Sequence, residues 1–390
     1  MPAPRHPLHC IVPPYLLAHL ARRSEPRLRA VAEAALATLV ASEQLRGERR
    51  ALGGVAPLLA TPAGAKRRTI YDARGGSTLP GRIVRDEGRP RSRDVAVNEA
   101  YDGLGATFDL YHDAYGRNSI DDRGLRLDAS VHYRERFNNA FWNGRQMVFG
   151  DGDGVIFGRF TRCIDVIGHE LTHGVTQFEA GLDYEGQAGA LNESFSDVFG
   201  SLVKQYALGQ TAEQADWLIG AGLFAAGVKG RALRSMRAPG TAYDDPRIGR
   251  DPQPAHMRDY VDTTDDNGGV HINSGIPNRA FCMAATSLGG QAWKQAGAIW
   301  YRALTDVLRG ASNFQEAAAA TTRVAGTDFG TDAAARVREA WKAVGVVVRA
   351  PSGTRRKEPG SANSNRAERR SRRPPSRAGR RNGASARRRA

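Results

Sequence analysis

The chain has 390 residues, a formal net charge of +15 and only three cysteines. Its length suggests two or three domains, and so few cysteines exclude a dense disulfide framework. No apolar run approaches the ~18 residues that a transmembrane helix needs.

The positive charge lies at the two ends of the chain. Residues 1–68 carry +7 and residues 351–390 carry +12, whereas the stretch between them carries −4. A high net charge suggests a polyanionic partner when it covers a whole protein. Here the middle of the chain has the composition of a slightly acidic globular protein, so the total charge says little about its chemistry.

The N-terminal residues predict a small domain ahead of the main body. Pro13 and Pro14 interrupt the apolar stretch that begins at Ile11, and no small-residue cleavage site follows, so we do not recognise a secretory signal. Residues 26–46 have their apolar positions on one helical stripe. A Gly/Pro-rich linker follows, and the basic residues Lys66–Arg68 precede the main body.

The main body divides into a strand-rich half and a helical half. Short apolar runs between turn residues predict strands at 69–71, 82–84 and 146–149, with a helix at 95–115. The later patterns are mainly helical, at 164–179, 189–206, 274–288, 291–308, 313–324 and 331–343. This order predicts an α+β protein with two lobes, residues 63–163 and 164–350. Residues 351–390 have almost no apolar side chains, which predicts a disordered basic tail.

The strongest chemical signal is the sequence His169-Glu-Leu-Thr-His173. Histidines at positions i and i+4 share one helix face, so both imidazoles can bind one metal ion. Glu170 then points to the side where a bound water would lie and suits a general base, because Zn²⁺ lowers the pKa of that water toward ~7. The pattern alone is weak, and an ordinary helix without a metal explains it about as well.

A catalytic zinc needs a third protein ligand, and Glu193 is the candidate. It lies on a second predicted helix, 20 residues after His173. Asp197 follows one turn later on the same face and is placed to accept a hydrogen bond from a ligand histidine. Glu193 alone would be interpreted as a surface carboxylate. Two helices that each pair a ligand with a supporting residue favour a metal site instead.

Four separated segments together resemble the thermolysin family of zinc metalloendopeptidases, and the similarity extends from about Thr69 to Val348. The segments are His169–His173, Asn192–Asp197, Asn138–Asn143 and Asp266–His271. The resemblance implies a two-lobed thermolysin-like fold, with a β-rich N-terminal lobe and a helical C-terminal lobe. It also implies that the zinc helix lies at the floor of the cleft between the lobes.

The resemblance implies a catalytic role for each matching residue. The zinc ligands would be His169, His173 and Glu193, with Glu170 as the general base. The two residues that stabilise the oxyanion of the tetrahedral intermediate would be His271 and Tyr184, and Asp266 would orient His271. Donors directed at a developing negative charge can each lower the barrier by about 3–4 kcal/mol. Taken singly, His271 and Tyr184 would be interpreted as satisfied buried polar residues.

The resemblance also implies how a peptide substrate is bound. An extended substrate would lie along the edge strand that contains Asn139 and Ala140, and Arg234 would bind a substrate carbonyl. The positions that resemble the apolar wall of the specificity pocket are Phe157, Val166 and Leu233. We therefore expect cleavage on the amino side of bulky hydrophobic residues.

The sequence departs from the larger members of this family at their double calcium site. Asp165 and Asp216 match two of its carboxylates, but Lys204, Leu218 and Ala221 stand where three other ligands would be. A charged lysine cannot bind a cation, so its ammonium would pair with the two aspartates instead. We therefore expect no double calcium site. Residues 151–154 are interpreted as a turn, with a calcium loop as the lesser alternative.

The segment Pro13–Leu17 resembles the short propeptide of the protealysin-like branch of the family. This implies a zymogen in which residues 1–62 fold with the enzyme and occlude the cleft, and in which self-cleavage falls within residues 50–68. Cys10 could lie near the zinc, since a thiolate is a good ligand, but an ordinary propeptide cysteine is the favoured interpretation. Cys163 and Cys282 are expected to be buried small hydrophobes.

The sequence thus predicts a monomeric, self-processing zinc endopeptidase that acts on proteins and peptides. The alternative from another class is a protein that binds nucleic acid or another polyanion through residues 351–390. An aminopeptidase is a further alternative, although no residues that would capture a free amine are recognised. The resemblance favours secretion, while the lack of a recognised signal leaves a cytoplasmic location or non-classical export open.

Overall fold

A computed structural model describes residues 9–52 and 64–348 of the chain, and all of them belong to one compact unit. The basic tail lies outside the described residues, and so does most of the segment expected to contain the processing site. The domain boundaries at residues 62 and 350 and the position of self-cleavage therefore stay predictions.

The N-terminal lobe is built around a six-stranded mixed sheet. Its strands are β1 His9–Cys10, β2 Arg68–Asp72, β3 Arg82–Asp86, β4 Leu127–Val131, β5 Ala140–Trp142 and β6 Met147–Phe149. Their order across the sheet is β1-β5-β6-β4-β2-β3. The pairs β2–β4 and β4–β6 are parallel, and the other neighbours are antiparallel. Strand β1 belongs to the predicted propeptide, yet it forms one edge of the sheet of the main body.

Helices make up most of the remaining described structure. They are α1 Pro14–Ala21, α2 Arg29–Leu52, α3 Val95–Tyr115, α4 Ile164–Phe178, α5 Gly186–Leu208, α6 Asp266–Asn273, α7 Gly275–Leu288, α8 Ala296–Arg302 and α9 Phe314–Ala343. Four two-residue strands lie between α5 and α6, namely β7 Leu218–Ile219, β8 Arg234–Ser235, β9 Asp244–Asp245 and β10 Gly249–Arg250. A β-rich lobe followed by a helical lobe confirms the predicted α+β fold.

Local sequence signals explain why α3 has the predicted bounds. The Asp94 carboxylate accepts hydrogen bonds from the N–H groups of Ala96 and Val97 and caps the first turn. Gly116 ends the helix in the left-handed conformation with φ of 68°, which glycine adopts at no steric cost. Both boundaries are therefore fixed by residues within the segment itself.

Two glycines let the central helices α4 and α5 approach closely. A Cβ atom built on Gly168 of α4 would lie 3.1 Å from the Cα of Gly200 on α5 and 3.0 Å from the Val203 side chain. An alanine at either position would push the helices apart, because backbone atoms of the neighbouring helix leave no space. This close contact brings the side chains of the two helices within bonding distance of each other.

The secondary-structure prediction was wrong where helices or strands are short or interrupted. Helices α1 and α6 span eight residues each, too short for an apolar stripe to be recognised. The helix predicted at 291–308 begins only at Ala296. The two helices predicted at 313–324 and 331–343 form one run, α9, with a non-helical backbone at Gly330. Strands β4 and β5 are also absent from the prediction.

Lys204 of α5 connects three parts of the helical lobe. Its ammonium lies 2.8 Å from Asp165 Oδ2 and 2.9 Å from Asp216 Oδ1, and it donates to the Leu218 carbonyl oxygen at 2.7 Å. Burial lowers the pKa of Lys204, but the Asp165 and Asp216 carboxylates more than offset this and raise the pKa above its usual value. The ammonium is therefore charged and makes the contacts that the sequence analysis predicted for it.

None of the helices in the described parts of the chain combines the length and the apolar character that crossing a membrane requires. The three cysteines are buried and form no disulfide, which agrees with the expectation that Cys163 and Cys282 are small hydrophobic core residues.

Candidate metal centre and active-site groove

Helices α4 and α5 bring the three predicted metal ligands together. The Nε2 atoms of His169 and His173 lie 3.0 Å apart. Glu193 reaches them from α5, with Oε2 3.5 Å from His169 Nε2 and Oε1 3.5 Å from His173 Nε2. All three side chains are buried. Four potential ligand atoms therefore converge on one point inside the protein.

Hydrogen bonds fix the orientation of both imidazoles. His169 Nδ1 lies 2.8 Å from Asp197 Oδ1, and His173 Nδ1 lies 2.8 Å from Asn192 Oδ1. The Asn192 amide donates to the Leu182 carbonyl at 3.1 Å, so its oxygen faces the histidine. Each Nδ1 therefore carries the proton, and each Nε2 presents a lone pair to the other.

This donor set fits a zinc ion. Two lone pairs that face each other at 3.0 Å repel unless a cation or a proton lies between them. Burial and the neighbouring His169 lower the pKa of His173 well below its usual value, which disfavours the proton. Glu193 Oε2 is buried and accepts no hydrogen bond from the described residues. Two neutral imidazoles and a carboxylate are the ligand types of catalytic zinc sites.

Asp197 supports the cluster through a buried charged network. It accepts hydrogen bonds from Arg234 Nε and Nη2, both at 2.8 Å, and from Asn278 Nδ2 at 2.8 Å. Burial raises the pKa of Asp197, but the Arg234 charge and the His169 hydrogen bond hold it well below its usual range. Asp197 is therefore ionised. Its contact with His169 agrees with the sequence analysis, whereas its partners Arg234 and Asn278 were not predicted.

Glu170 lies on α4, directly after His169, and is buried near Glu193. Its Oε2 accepts a hydrogen bond from the backbone N–H of Trp142 at 3.0 Å. Burial and the nearby negative charge of Glu193 raise the pKa of Glu170 well above its usual value, although N–H groups of Trp142 and Ile11 oppose the shift. A carboxyl group with a raised pKa can accept a proton and release it again near neutral pH.

Tyr184 and His271 lie beside Glu193 of the cluster. The Tyr184 hydroxyl donates to Glu193 Oε1 and lies 3.2 Å from His271 Nε2. Asp266 accepts from His271 Nδ1 at 2.7 Å and from its backbone N–H at 3.0 Å. Burial lowers the pKa of His271, but the Asp266 and Glu193 carboxylates reverse the shift and raise it. Two hydrogen-bond donors thus face the same space.

The chain's own residues 9–12 lie in this space as an extended segment, the added strand, whose first two residues form β1. Strand β1 pairs antiparallel with β5, and His9 lies opposite Trp142. The Ile11 N–H donates to the Ala140 carbonyl at 3.3 Å. The Asn139 side chain binds both backbone groups of Val12, accepting from its N–H at 3.0 Å and donating to its carbonyl at 3.3 Å.

Two further contacts hold the carbonyl groups of the added strand. Arg234 Nη1 donates to the Ile11 carbonyl at 3.1 Å, and His271 Nε2 lies 3.1 Å from the Cys10 carbonyl oxygen. Residues predicted to bind a substrate backbone therefore bind residues 10–12 instead. The sequence analysis expected the N-terminal segment to occlude the cleft, but it did not identify which residues do so.

The side chains of the added strand alternate between two environments. Ile11 is fully buried in the core cluster that also contains the predicted pocket residues Phe157, Val166 and Leu233. Cys10 lies in a separate apolar cluster with Phe141 and Val148, so its thiol is not directed at the metal centre. The interpretation of Cys10 as an ordinary propeptide cysteine agrees with this position.

His9 is a further site residue that the sequence analysis missed. Its ring stacks on that of His173 with the centroids 4.1 Å apart, and His9, His173 and Glu193 form a group that could hold a metal ion. Alternation along a strand places neighbours on opposite faces, so a buried Cys10 implies an opposite orientation for His9. The pairing of β1 with β5 was needed to show which face meets the metal centre.

Comparison with protein-family models gives two adjacent matches. Residues 64–177 match the model described as the thermolysin metallopeptidase catalytic domain. Residues 180–346 match the model described as the thermolysin metallopeptidase alpha-helical domain. Together the two models cover both lobes of the structure and include every predicted site residue.

Individual relatives extend the similarity to the N-terminal segment. The chain is 52% identical over 347 residues to an extracellular metalloprotease of Pectobacterium carotovorum, which covers 88% of this chain and 98% of that protein. A solved structure, the precursor of protealysin from Serratia proteamaculans, has a TM-score of 0.80 and 53% identity, and covers 87% of this chain and 100% of that one. A thermolysin of Alicyclobacillus acidocaldarius is 40% identical over 71% of this chain and 50% of its own length.

We expect Asp197→Asn to weaken both the fold and metal binding. The amide cannot neutralise the buried Arg234 guanidinium, so the free energy of unfolding should fall by about 3–5 kcal/mol. Loss of the carboxylate behind His169 should weaken zinc binding by about 10–100-fold. Urea unfolding and competition with a chromogenic chelator measure the two effects.

Asp306→Asn is the matched control for this substitution, because the Asp306 side chain is 49% exposed in a surface ion pair. It should change the free energy of unfolding by less than about 0.5 kcal/mol. Equal zinc affinities of the two variants would contradict the role given to Asp197.

Proposed function

The chain belongs to the thermolysin family of metallopeptidases and is a zinc endopeptidase, and on that premise we propose that it is made as a zymogen that its own N-terminal segment inhibits. The observation that carries the proposal is the added strand of residues 9–12. Its backbone forms hydrogen bonds with Asn139, Ala140, Arg234 and His271. The related solved structure, which covers 87% of this chain, is described as a precursor.

We assign the zinc to His169, His173 and Glu193, whose ligand atoms converge at 3.0–3.5 Å from one another. Bound zinc supplies Lewis-acid chemistry, which polarises a carbonyl group and makes water more acidic. The hydrogen bonds from Asp197 and Asn192 keep the two imidazoles in the tautomer that binds a metal.

The remaining residues of the centre would then act on the peptide bond directly. Glu170 takes a proton from the attacking water and passes it to the leaving amine, and the Trp142 N–H holds the carboxylate in place. Tyr184 and His271 donate hydrogen bonds to the carbonyl oxygen as it gains negative charge. Asp266 fixes His271 in the required orientation.

The added strand also indicates how a substrate would lie. Its Cys10 carbonyl oxygen is at His271, and Ile11 follows it in the apolar core that includes Phe157, Val166 and Leu233. A substrate in the same register would present the residue after the cleaved bond to this apolar surface. We therefore propose cleavage on the amino side of bulky hydrophobic residues.

We further propose that the enzyme is secreted and acts as a monomer. The support for secretion is the name of the Pectobacterium relative, an extracellular metalloprotease.

Sequencing the products of a denatured protein substrate tests the specificity. New N-termini should be mainly Leu, Phe, Ile and Val, because a charged side chain would lose its hydration in an apolar pocket. Products that begin mainly with charged residues would contradict the proposed pocket.

The second test concerns self-processing. We expect Glu170→Ala to lower the rate of casein cleavage by about 10²–10⁴-fold and to leave the chain at full length on expression. Mass spectrometry measures the chain length, and phosphoramidon or EDTA should block the activity of the unsubstituted enzyme.

Glu339→Ala is the matched control, because Glu339 is 67% exposed and far from the centre in the sequence. It should mature normally. Normal maturation of Glu170→Ala would show that another protease removes the N-terminal segment. Casein cleavage that persists in Glu170→Ala would contradict the catalytic assignment itself.

We also propose that Lys204 replaces a calcium ion and that the fold needs none at this position. After EDTA treatment and reconstitution with zinc, added calcium should leave the melting temperature unchanged. Lys204→Met should lower the free energy of unfolding by about 3–5 kcal/mol, because Asp165 is left as a buried, unpaired charge. Lys342→Met, at a side chain 64% exposed, is the control. A rise of several degrees with calcium would contradict the proposal.

A further inference from the structure

We propose that His9 is a fourth protein ligand of the zinc in the zymogen. This inference rests on the proposed latency of the full-length chain and specifies how the metal itself is made inactive. The His9 side chain belongs to the propeptide, is 3% exposed and lies directly against two residues of the metal centre.

The contacts of His9 place its ring at the metal centre. The ring is stacked on that of His173, with the centroids 4.1 Å apart and an interplanar angle of 12°, so the His9 ring would rotate about its Cβ–Cγ bond to share an ion with His173. It meets the Tyr184 ring edge-on, with the centroids 4.4 Å apart. Ligand atoms of His9, His173 and Glu193 all lie within 4.8 Å of one another. His9 thus offers an imidazole nitrogen to the group of residues that would hold the ion.

The strand pairing holds His9 in this position. His9 pairs with Trp142 and Cys10 with Phe141 across the two strands. On the C-terminal side, the Ile11 and Val12 backbone groups are bonded to Ala140, Asn139 and Arg234. Because Cys10 is directed into the separate apolar cluster, alternation directs His9 to the other face. The imidazole is therefore presented by a fixed backbone.

A third imidazole, and with it a fourth protein ligand, changes what the zinc can do. Catalytic zinc sites have three protein ligands and an open position for water or substrate, whereas sites closed by four protein ligands are structural. A histidine on a strand already bound to the enzyme competes with water at a high effective concentration. His9 would thus fill the position that the attacking water needs.

This arrangement also explains how the propeptide avoids being cut. The Cys10 carbonyl oxygen lies 3.1 Å from His271 Nε2, and the next carbonyl, that of Ile11, accepts a hydrogen bond from Arg234 at 3.1 Å. The bond between Cys10 and Ile11 therefore lies where a substrate bond would be hydrolysed. With His9 on the metal, no water is activated next to it, and the strand inhibits without being cleaved.

X-ray absorption at the zinc edge tests the proposal, because it counts imidazole ligands without any turnover. The full-length Glu170→Ala chain prevents self-processing and should show three imidazoles per zinc. Adding His9→Ala should reduce the number to two. Adding His9→Phe, which preserves an aromatic ring for stacking but has no nitrogen, should also give two. This second variant separates the loss of a ligand nitrogen from a folding defect of His9→Ala.

His19→Ala is the matched control, since His19 is an exposed propeptide histidine on α1, and it should leave three imidazoles. Two imidazoles in the full-length Glu170→Ala chain would overturn the assignment of His9. The proposed latency would still hold if the unprocessed chain, without substitutions, fails to cleave peptides. Peptide cleavage by that unprocessed chain would instead overturn the proposed latency.

Discussion

The close contact of α4 and α5 is the constraint on which the rest of the site depends. Gly168 and Gly200 have no side chain at the crossing, so the helices approach until backbone meets backbone. Only at this separation can Glu193 of one helix reach His169 and His173 of the other at 3.5 Å. The same contact lets Asp197 support His169 from behind. A larger side chain at the crossing would disturb the metal ligands and their support together.

The electrostatics of the centre favour a bound cation. Glu170, Glu193 and Asp197 are all removed from water, and burying several carboxylates together is costly. Arg234 neutralises Asp197 through two hydrogen bonds. It donates no hydrogen bond to Glu170 or Glu193 among the described contacts, and burial together with the charge of Glu193 raises the pKa of Glu170. A divalent cation at the converging ligand atoms offsets this negative charge, which links metal binding to the stability of the helical lobe.

The parts of the site that could be predicted from the sequence are those in which local spacing determines geometry. His169 and His173 share a helix face because they are four residues apart, and Glu193 and Asp197 share another for the same reason. His9 could not be placed in this way, because its position depends on a strand pairing with Trp142 far along the chain. Arg234 likewise joins Asp197 to Ile11 through the tertiary fold. The strand β5 that receives the N-terminal segment has three residues, too few for an alternating pattern to identify it.

The central claim is that residues 9–12 occupy the groove in which a substrate would bind. Calorimetric titration of phosphoramidon into the Glu170→Ala chain tests it most directly, before and after the N-terminal segment is removed by added active enzyme. The full-length chain should show no binding, and the trimmed chain should bind one inhibitor per molecule. Equal affinity in both forms would contradict the account, since the groove would then be accessible while the N-terminal segment is present.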